Sequence, residues 1–357
     1  MPNTTSPQSC RDQTGKQATS GQQPTPINRR AWLAAGGTAL ASLLAAPVLR
    51  DMAAMRGSVF IARNQRYDGN LQQTIQDGLV AGGVTLNQLR GKQILLKPNL
   101  VEPSRAIPHM TTHPAIIVAA AEVFRRHGAE VQVGEAPGHL RDTDVALQES
   151  GVGPALQDAG LEFADLNYQQ VVWHRNLAGC STLRGFYLPQ SVQEADLIVS
   201  MPKMKTHHWI GMTASMKNLY GVLPGIKYGW PKNVLHHHGI SETVTDINAI
   251  LTKTITIVDG IDCMEGDGPI MGSCKTMGLV LVGTNLLAVD GTLARIMGFE
   301  PQHIAYLEMS QSAGLGPLRQ RHIRQHGESW RDVMDAFKIL NHDHLKSLRT
   351  SSGPLVS

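Results

Sequence analysis

Residues 91–101, GKQILLKPNLV, form an apolar run that begins after a glycine and ends in Pro-Asn. Such a run predicts a buried strand with a polar loop at its carboxyl end. The same pattern returns at 130–138, EVQVGEAPG, and at 195–205, ADLIVSMPKMK. Between the first two runs, Pro114 and Gly128 bound an apolar segment, as expected at the start and end of a helix. The sequence therefore predicts a strand-helix-strand arrangement at the centre of the fold.

Further elements extend this alternation along the chain. Strands are predicted at 161–167, 254–261 and 277–285, and helices at 143–159 and 286–299. Strands of nearly continuous apolar residues that alternate with helices are typical of a sheet covered on both faces. We therefore expect an α/β fold with parallel or mixed sheets, helices on both faces and a helical C-terminal region.

The chain divides into three parts by composition. The first thirty residues are mostly Ser, Thr, Gln, Pro and Asn, which cannot bury a core, so we expect 1–50 to be a disordered N-terminus that ends in an export signal. We expect 51–316 to be one α/β domain, with any division into two lobes near 170–200. Residues 317–357 are expected to be a helical extension.

The N-terminal segment resembles a twin-arginine export signal. Arg29 and Arg30 precede Trp32 and a mildly apolar Ala/Gly/Leu run. The pattern predicts contact with the twin-arginine export machinery, cleavage near Ala46 and a periplasmic or exported protein without a stable membrane span. A retained membrane anchor is the alternative, because the run has about the length of a bilayer span.

The bulk charge excludes several classes of function. The net charge is +3 and no block is strongly basic, so a nucleic acid is not the expected partner. The four cysteines form no Cys-x-x-Cys pair, which gives iron–sulfur and zinc-finger sites no support. Whether two of the cysteines form a disulfide stays open.

Ionisable side chains follow several of the predicted strands. In open α/β sheets, ligands bind beyond the carboxyl ends of the strands. Those ends carry Lys97 with Asn99, then His139, then Lys203 with Lys205. One explanation is that loops are polar in general. The other is a binding site, and lysines at strand ends favour a small anionic ligand there.

Residues 204–239 concentrate histidine and lysine and contain few carboxylates. With Thr206 as N-cap and Gly221 as the end, we predict one helix over 207–220, on which Thr213 and Lys217 share a face. At the start of such a helix, His207 would be neutral and able to relay a proton or ligate a metal. A connector at 225–229 would return His236, His237 and His238 over the helix. Solvated lysines and a solvated histidine loop are the alternatives.

The segments KPNLV, GEAPGH, ADLIVSMPKMKTHHWIGMTASMKNLYGVLPG, DGIDCMEGDGP and AVDGTLARIMGF together resemble the family known as domain of unknown function 362. The resemblance covers roughly residues 90–316 and implies no settled reaction. The spacing of His207, Gly211, Lys217, Gly221 and a later histidine is more distantly similar to the nickel-pincer lactate racemase family.

That second resemblance implies roles for individual residues. His207 and His139 would be opposed proton-transfer bases, Lys217 would hold a nickel-containing or other metal cofactor, and one of His236–His238 would ligate the metal. The sequence departs from that family, because Ser215 and Met216 precede the lysine and no arginine is evident for a substrate carboxylate. The resemblance is therefore not taken to imply that lactate is the substrate of this protein.

An acidic segment follows the strand predicted at 254–261. Asp259, Asp262, Glu265 and Asp267 lie within nine residues, which suits a hard cation, a solvated turn, or pairing of Asp259 or Glu265 with Lys205 or Lys217 across a cleft. Asp290 lies within an apolar helix and is expected to be a buried hydrogen-bonding anchor.

Together these features predict a cleft at the strand ends that performs proton or hydride transfer on a small organic acid. A non-catalytic periplasmic protein that binds an anion or a metal is the alternative, and a structural or maturation partner is a third. The candidate catalytic residues are His207, Lys217, His139 and Lys205. The candidate ligand-binding residues are Lys97, Asn99, Lys203, Thr213, Asn218 and Glu265, and the candidate metal ligands are His236, His237 and His238.

Overall fold

The centre of the fold is a ten-stranded mixed sheet. The computed structural model describes residues 57–138, 141–351 and 353–356. The sheet strands are β1 Gly57–Ala62, β2 Gln93–Pro98, β3 Glu130–Glu135, β4 Glu162–Asp165, β7 Leu197–Met201, β8 Lys203–His207, β9 Gly211–Thr213, β10 Thr254–Glu265, β11 Ser273–Gly283 and β12 Ile323–Gly327. Strands β5 Val171–Arg175 and β6 Gly185–Pro189 form a separate hairpin.

Most neighbouring strands of this sheet run parallel, and the antiparallel pairs are those made by β11 and by β9. The order is β12-β1-β11-β10-β7-β2-β3-β4, and β8 pairs with both β10 and β9. Strands β10, β7, β2, β3 and β4 run parallel, whereas β11 is antiparallel to β10 and to β1. This mixed α/β sheet confirms the predicted fold class. The carboxyl ends of β2, β3 and β7 therefore meet at one edge.

Helices cover both faces of this sheet. They are α1 Leu71–Ala81, α2 Pro114–Arg126, α3 Thr143–Ser150, α4 Val152–Asp158, α5 Gln190–Glu194, α6 Ser215–Asn218, α7 Gly225–Tyr228, α8 Asn233–His237, α9 Ile240–Ile250, α10 Leu286–Ile296, α11 Ala305–Ser312 and α12 Asp343–Lys346. In β2, Leu95 joins the core layer beneath α9 and α10, whereas Ile94 and Leu96 join the layer beneath α1 and α2. This period-two alternation is the pattern of a strand buried on both faces.

The predicted helix over 207–220 is wrong. Residue 207 ends β8, residues 208–210 form a turn, and β9 precedes the four-residue helix α6 and a 3-10 turn, Leu219–Val222. Gly211 has φ +87° and pairs with His207 in the β8–β9 hairpin. The Thr206 hydroxyl donates to the Gly266 carbonyl at 3.0 Å and caps no helix. Pairing of β8 with β10 thus overrides the local helical pattern.

Several predicted boundaries also move. The segment predicted as one helix at 143–159 is two helices, α3 and α4, because Gly151 between them has φ 72°. The strand predicted at 195–205 divides at Pro202, between β7 and β8. The C-terminal region beyond residue 316 contributes α12 but also strand β12, which joins β1 in the sheet and was not predicted.

The described residues pack as one compact unit. Within them, no helix combines the length and the apolar character needed to cross a membrane. Residues 1–56, which include the arginine pair of the predicted export signal, lie outside the described residues, as does His139.

Candidate functional site

A cleft of about 170 Å³ lies beyond the carboxyl ends of β2, β3 and β8. Seven of the candidate residues predicted from the sequence line it: Lys97, Asn99, His207, Thr213, Lys217, Asn218 and His236. Four further residues of the lining were not predicted from the sequence: Glu135, Trp209, Tyr220 and Lys232. The cleft lies at the carboxyl edge of the parallel strands, where ligands bind in open α/β folds.

The floor of the cleft holds a buried ion pair between Lys97 and Glu135. Lys97 Nζ also donates to the Pro98 carbonyl at 2.6 Å and to Asn218 Oδ1 at 3.0 Å. Burial lowers the pKa of Lys97 and raises the pKa of Glu135, while the attraction between them opposes both shifts. Three donated hydrogen bonds therefore hold this lysine rigidly.

The close packing around this pair requires a glycine. A Cβ atom at Gly221 would overlap Glu135 Oε1 and the end of the Lys97 side chain. The Gly221 carbonyl also accepts a hydrogen bond from the Ala136 amide at 2.8 Å, directly after β3. Gly221 therefore brings its backbone against the floor of the cleft.

Lys217 lies in the cleft without a polar partner. Its Nζ atom is 4.8 Å from the centre of the Tyr220 ring, and it makes no hydrogen bond or ion pair with any of the described residues. Burial, reinforced by the nearby charge of Lys97, lowers the pKa of Lys217 to about 8. At neutral pH this side chain therefore exchanges readily between ammonium and amine.

Asp290 fixes the short helix that carries Lys217. Its carboxylate accepts hydrogen bonds from the backbone amides of Ser215 at 2.8 Å and Met216 at 2.9 Å. Burial raises the pKa of Asp290 to about 7. Asp290 is thus the buried hydrogen-bonding anchor that the sequence predicted.

Lys232 is a second buried lysine of the cleft, and the sequence analysis missed it. The residue is 4 % exposed and has the left-handed backbone conformation, φ 67° and ψ 42°, which is uncommon for residues other than glycine. Its Nζ atom donates to the Ala136 carbonyl at 2.8 Å and to the Leu223 carbonyl. Burial lowers its pKa to about 7. The sequence offered no signal, because a lone lysine in a loop is usually solvated.

His207 is neutral, but for a different reason than predicted. It ends a strand rather than starting a helix, and burial together with the charge of Lys217 lowers its pKa well below the usual value. The Trp209 amide donates to His207 Nδ1 at 3.1 Å, so the proton of the neutral ring resides on Nε2. In this tautomer His207 is a hydrogen-bond donor.

Two polar atoms of the cleft lack partners. Asn99 Oδ1 and Thr213 Oγ1 are buried and make no hydrogen bond within the described part of the chain. Buried polar groups are nearly always paired, so each such atom calls for an explanation. A polar ligand in the cleft would provide one.

Other candidate residues lie away from the cleft lining. Lys203 forms an ion pair with Asp259 at 2.6 Å, so the predicted pairing of Asp259 with Lys205 or Lys217 is wrong. Lys205 is fully buried and donates to the carbonyls of Met110 and Pro269 at 2.8 and 3.2 Å. Burial lowers its pKa well below the usual value.

Glu265 serves the C-terminal region and not the predicted lysines. Its carboxylate accepts from the Lys338 amide at 2.9 Å and lies 3.5 Å from Lys338 Nζ and 3.9 Å from Lys275 Nζ. Two residues of the acidic segment, Asp259 and Glu265, therefore pair with different lysines.

The three consecutive histidines do not converge on the cleft. His236 lines it, His237 is exposed, and His238 Nδ1 lies 2.6 Å from Thr182 Oγ1. Among the described residues, no group of three or more His, Cys, Asp or Glu side chains is arranged to hold a metal ion.

Comparisons with known proteins place this geometry in context. A family model described as "Domain of unknown function (DUF362)" matches residues 94–295. The thylakoid-associated protein sll1697 of Synechocystis sp. is 26% identical over 264 residues, which span 73% of this chain and 80% of that protein. The lactate racemase apoprotein of Thermoanaerobacterium thermosaccharolyticum aligns with a TM-score of 0.36 and 16% identity, over 57% of this chain and 51% of the racemase chain. The present chain thus spans about half the length of that racemase.

Proposed function

Because the chain belongs to the DUF362 family, whose description assigns no reaction, we propose its function from the cleft itself. We propose that the protein is an enzyme that moves a proton at the carbon next to the carboxylate of a small organic acid. One observation carries the proposal. Lys217, with a pKa of about 8, lies in the cleft without a hydrogen-bond or ion-pair partner among the described residues.

The charge balance of the cleft favours an anionic substrate. Among the described residues, Lys97, Lys217 and Lys232 line it together with one carboxylate, Glu135. Glu135 forms its ion pair with Lys97, so this described lining holds no further carboxylate as a counterion for the other two lysines. A bound carboxylate would supply one, and its oxygens would be within a pocket that excludes most competing water.

The chemistry follows from the two protonation states of Lys217. At pH 7 roughly a tenth of the side chain is neutral amine, given a pKa of about 8. The amine lone pair takes the proton from the substrate carbon, and the electron pair of the broken C–H bond moves into the neighbouring carboxyl or carbonyl group. The resulting ammonium returns the proton to carbon, so the cycle is redox-neutral.

Lys232 is suited to a complementary role on another wall. A neutral lysine has two N–H groups, and both are directed to the carbonyls of Ala136 and Leu223. Its remaining position holds the lone pair or, after protonation, a third N–H. Either form can exchange a proton with a ligand in the cleft, and the protonated form stabilises negative charge as it develops.

The test uses hydrogen exchange in D₂O, which reports proton transfer at carbon whatever product is formed. The full chain is incubated with a panel of 2-hydroxy, 2-oxo and 2-amino acids, and loss of the Cα–H signal is followed by NMR. We expect protein-dependent exchange for at least one acid. In Lys217→Met, we expect the exchange rate to fall by about 10²- to 10⁴-fold, the usual contribution of a positioned base.

The matched control is Lys227→Met. Lys227 Nζ also lies over a tyrosine ring, at 5.0 Å from the centre of Tyr187, but the residue is exposed and does not line the cleft. This variant should exchange at the wild-type rate. Binding without exchange would favour the alternative function of an anion-binding protein, and absence of both binding and exchange would overturn the proposal.

The proposal also requires a free amine at Lys217. The intact mass of protein isolated from its native source should therefore equal the sequence mass of the processed chain. A covalent adduct on Lys217 would contradict the proposal and favour a lysine that carries a cofactor.

We propose separately that the protein is exported by the twin-arginine route, on the strength of Arg29 and Arg30 in the sequence. The test is a fusion of residues 1–50 to a reporter that is active only after export. Replacement of both arginines by lysine should retain the reporter in the cytoplasm, and export that continues unchanged would contradict this proposal.

A further inference from the structure

The cleft changes character between its floor and its mouth. Its floor consists of buried charged and polar side chains, including Lys97, Glu135 and Lys232. Its mouth is formed by half-buried or exposed apolar and ring-bearing residues: Val101, Trp209, Pro231, His236, Pro269 and Ile270. A ligand that satisfies both ends has an anionic head and an apolar body.

Trp209 is the most unusual residue of this mouth. Its side chain is 58% exposed although it borders a cleft lined by buried groups. When a ligand ring covers an exposed indole beside a pocket, apolar surface of both rings leaves water and the rings gain contact with each other, and both effects favour binding. A large exposed aromatic residue at this place therefore suits recognition better than packing.

The turn that carries Trp209 is held from several sides. The His208 amide donates to the Gly268 carbonyl at 2.9 Å, and the His208 carbonyl lies 2.8 Å from His344 Nε2. The Trp209 amide itself donates to His207 Nδ1 at 3.1 Å. The backbone beneath the indole is thus fixed before a ligand arrives, which lowers the entropy lost on binding.

The neighbouring rings support the indole without stacking on it. The ring centre of Trp209 lies 4.8 Å from that of His208 and 5.7 Å from that of His236, and in both pairs the ring planes are nearly perpendicular. The contact with His207 is tilted by 46° at 5.9 Å. No parallel stack with a described residue covers the indole, in contrast to Tyr220, which contacts Lys217 and His236.

We infer that the organic acid bound in this cleft carries a planar ring, which packs against Trp209 at the mouth while its acid end lies at the floor beside Lys217. This inference rests on the proposed function, because it names the substrate class of the same site. It predicts that ring-bearing carboxylates bind more tightly than saturated carboxylates of equal charge and similar size.

The probes are phenylacetate and cyclohexylacetate, which share the carboxylate and the six-membered carbon framework and differ in planarity. Their affinities for the full chain are measured by calorimetry, beside butyrate as a carboxylate without a ring. We expect phenylacetate to bind about 3- to 10-fold more tightly than cyclohexylacetate, the range that aromatic pairs contribute beyond area burial.

The variants are Trp209→Leu and, as matched control, Trp173→Leu. Trp173 is 49% exposed on the β5–β6 hairpin and does not line the cleft. The control should keep the preference for phenylacetate, whereas Trp209→Leu should lose it and still bind cyclohexylacetate and butyrate. Retention of the preference in Trp209→Leu would overturn the inference.

The two proposals fail in different ways. If the wild-type protein binds all three acids equally and Lys217→Met binds none, the proposed anionic site stands and the planar-ring inference is wrong. If the wild-type protein binds none of the three acids, and also binds and exchanges none of the panel acids, the proposed function fails and the inference fails with it.

Discussion

Two groups of charged and polar side chains, one around Lys203 and one around Lys217, differ in how their charges are balanced. In the first, Lys203 pairs with Asp259 at 2.6 Å and donates to the Tyr67 hydroxyl at 3.0 Å. In the second, Lys217 has no ion-pair or hydrogen-bond partner among the described residues. Both lysines come from the same segment of chain, and only the second lies in a cleft.

The first group is complete without a ligand. Asp259 also accepts hydrogen bonds from the Tyr67 hydroxyl at 3.0 Å and from the His113 amide at 2.9 Å, so both oxygens of its carboxylate have partners. A buried charge with a full set of partners serves the fold, whereas a buried amine without partners weakens it. Proteins retain such weaknesses mainly at functional sites. The comparison therefore indicates a structural role for Lys203 and supports the function proposed for Lys217.

The largest effect is expected at the group around Lys203. Lys203→Met removes the counterion of Asp259, whose side chain has 0% exposure. We expect the free energy of unfolding to fall by about 3–5 kcal/mol, as for other broken buried ion pairs. Urea denaturation measures this loss. The double variant Lys203→Met/Asp259→Asn removes the stranded charge and should recover part of it. A loss below about 1 kcal/mol in the single variant would contradict the structural role.

A smaller effect is expected at the floor of the cleft, where Lys97 and Glu135 form a buried ion pair. Gly221→Ala introduces a methyl group into the space of these two side chains. We expect a loss of about 1–3 kcal/mol in the free energy of unfolding, the usual effect of overpacking. Thermal denaturation measures it, and Gly138→Ala, where an added Cβ meets nothing within 4 Å, is the matched control. Equal stability of the two variants would contradict this prediction, because it would show that Lys97 and Glu135 move aside at little cost.

Much of the sheet could be predicted, because its strands are marked by local sequence. The runs that became β2 and the second half of β11 are apolar, bounded by Gly or Pro, and buried at consecutive positions, so pattern alone identifies them. Strand β12, IRQHG, has one apolar residue and is held by its pairing with β1, which no local pattern reveals.

The sequence predicted which residues line the cleft better than it predicted the backbone that carries them. Of the candidate lysines, Lys97 and Lys217 line the cleft, whereas Lys203 and Lys205 lie outside its lining. The helix predicted over 207–220 failed because strand pairing of β8 with β10 decided the backbone there. Lys232 could not be predicted from the sequence, because its position depends on hydrogen bonds to two carbonyls. The Ala136 carbonyl is distant in sequence, and the Leu223 carbonyl is brought to the lysine by the fold of the intervening loop.

The comparison is tested most directly at Lys217, because replacing this lysine should raise the free energy of unfolding, whereas replacing Lys203 should lower it. Lys217→Met removes a buried amine that donates no hydrogen bond, so we expect the protein to become more stable at pH 6. A pKa lowered from 10.5 to about 8 corresponds to at most about 3 kcal/mol. Because the side chain keeps some exposure, we expect a gain of about 1–2 kcal/mol. Urea denaturation of wild type and variant measures it.

The pH dependence identifies the cause of that gain. Below pH 8 both folded and unfolded wild-type chains are protonated at Lys217, and the folded state bears the full burial penalty. Between about 8 and 10.5 the folded state loses this proton first, so the stability of the wild type rises with pH. The advantage of Lys217→Met should therefore shrink by more than half between pH 6 and about pH 9.5. Lys227→Met, at an exposed lysine, should show no such trend. A variant that is less stable than wild type at pH 6 would place Lys217 with Lys203, as a structural residue.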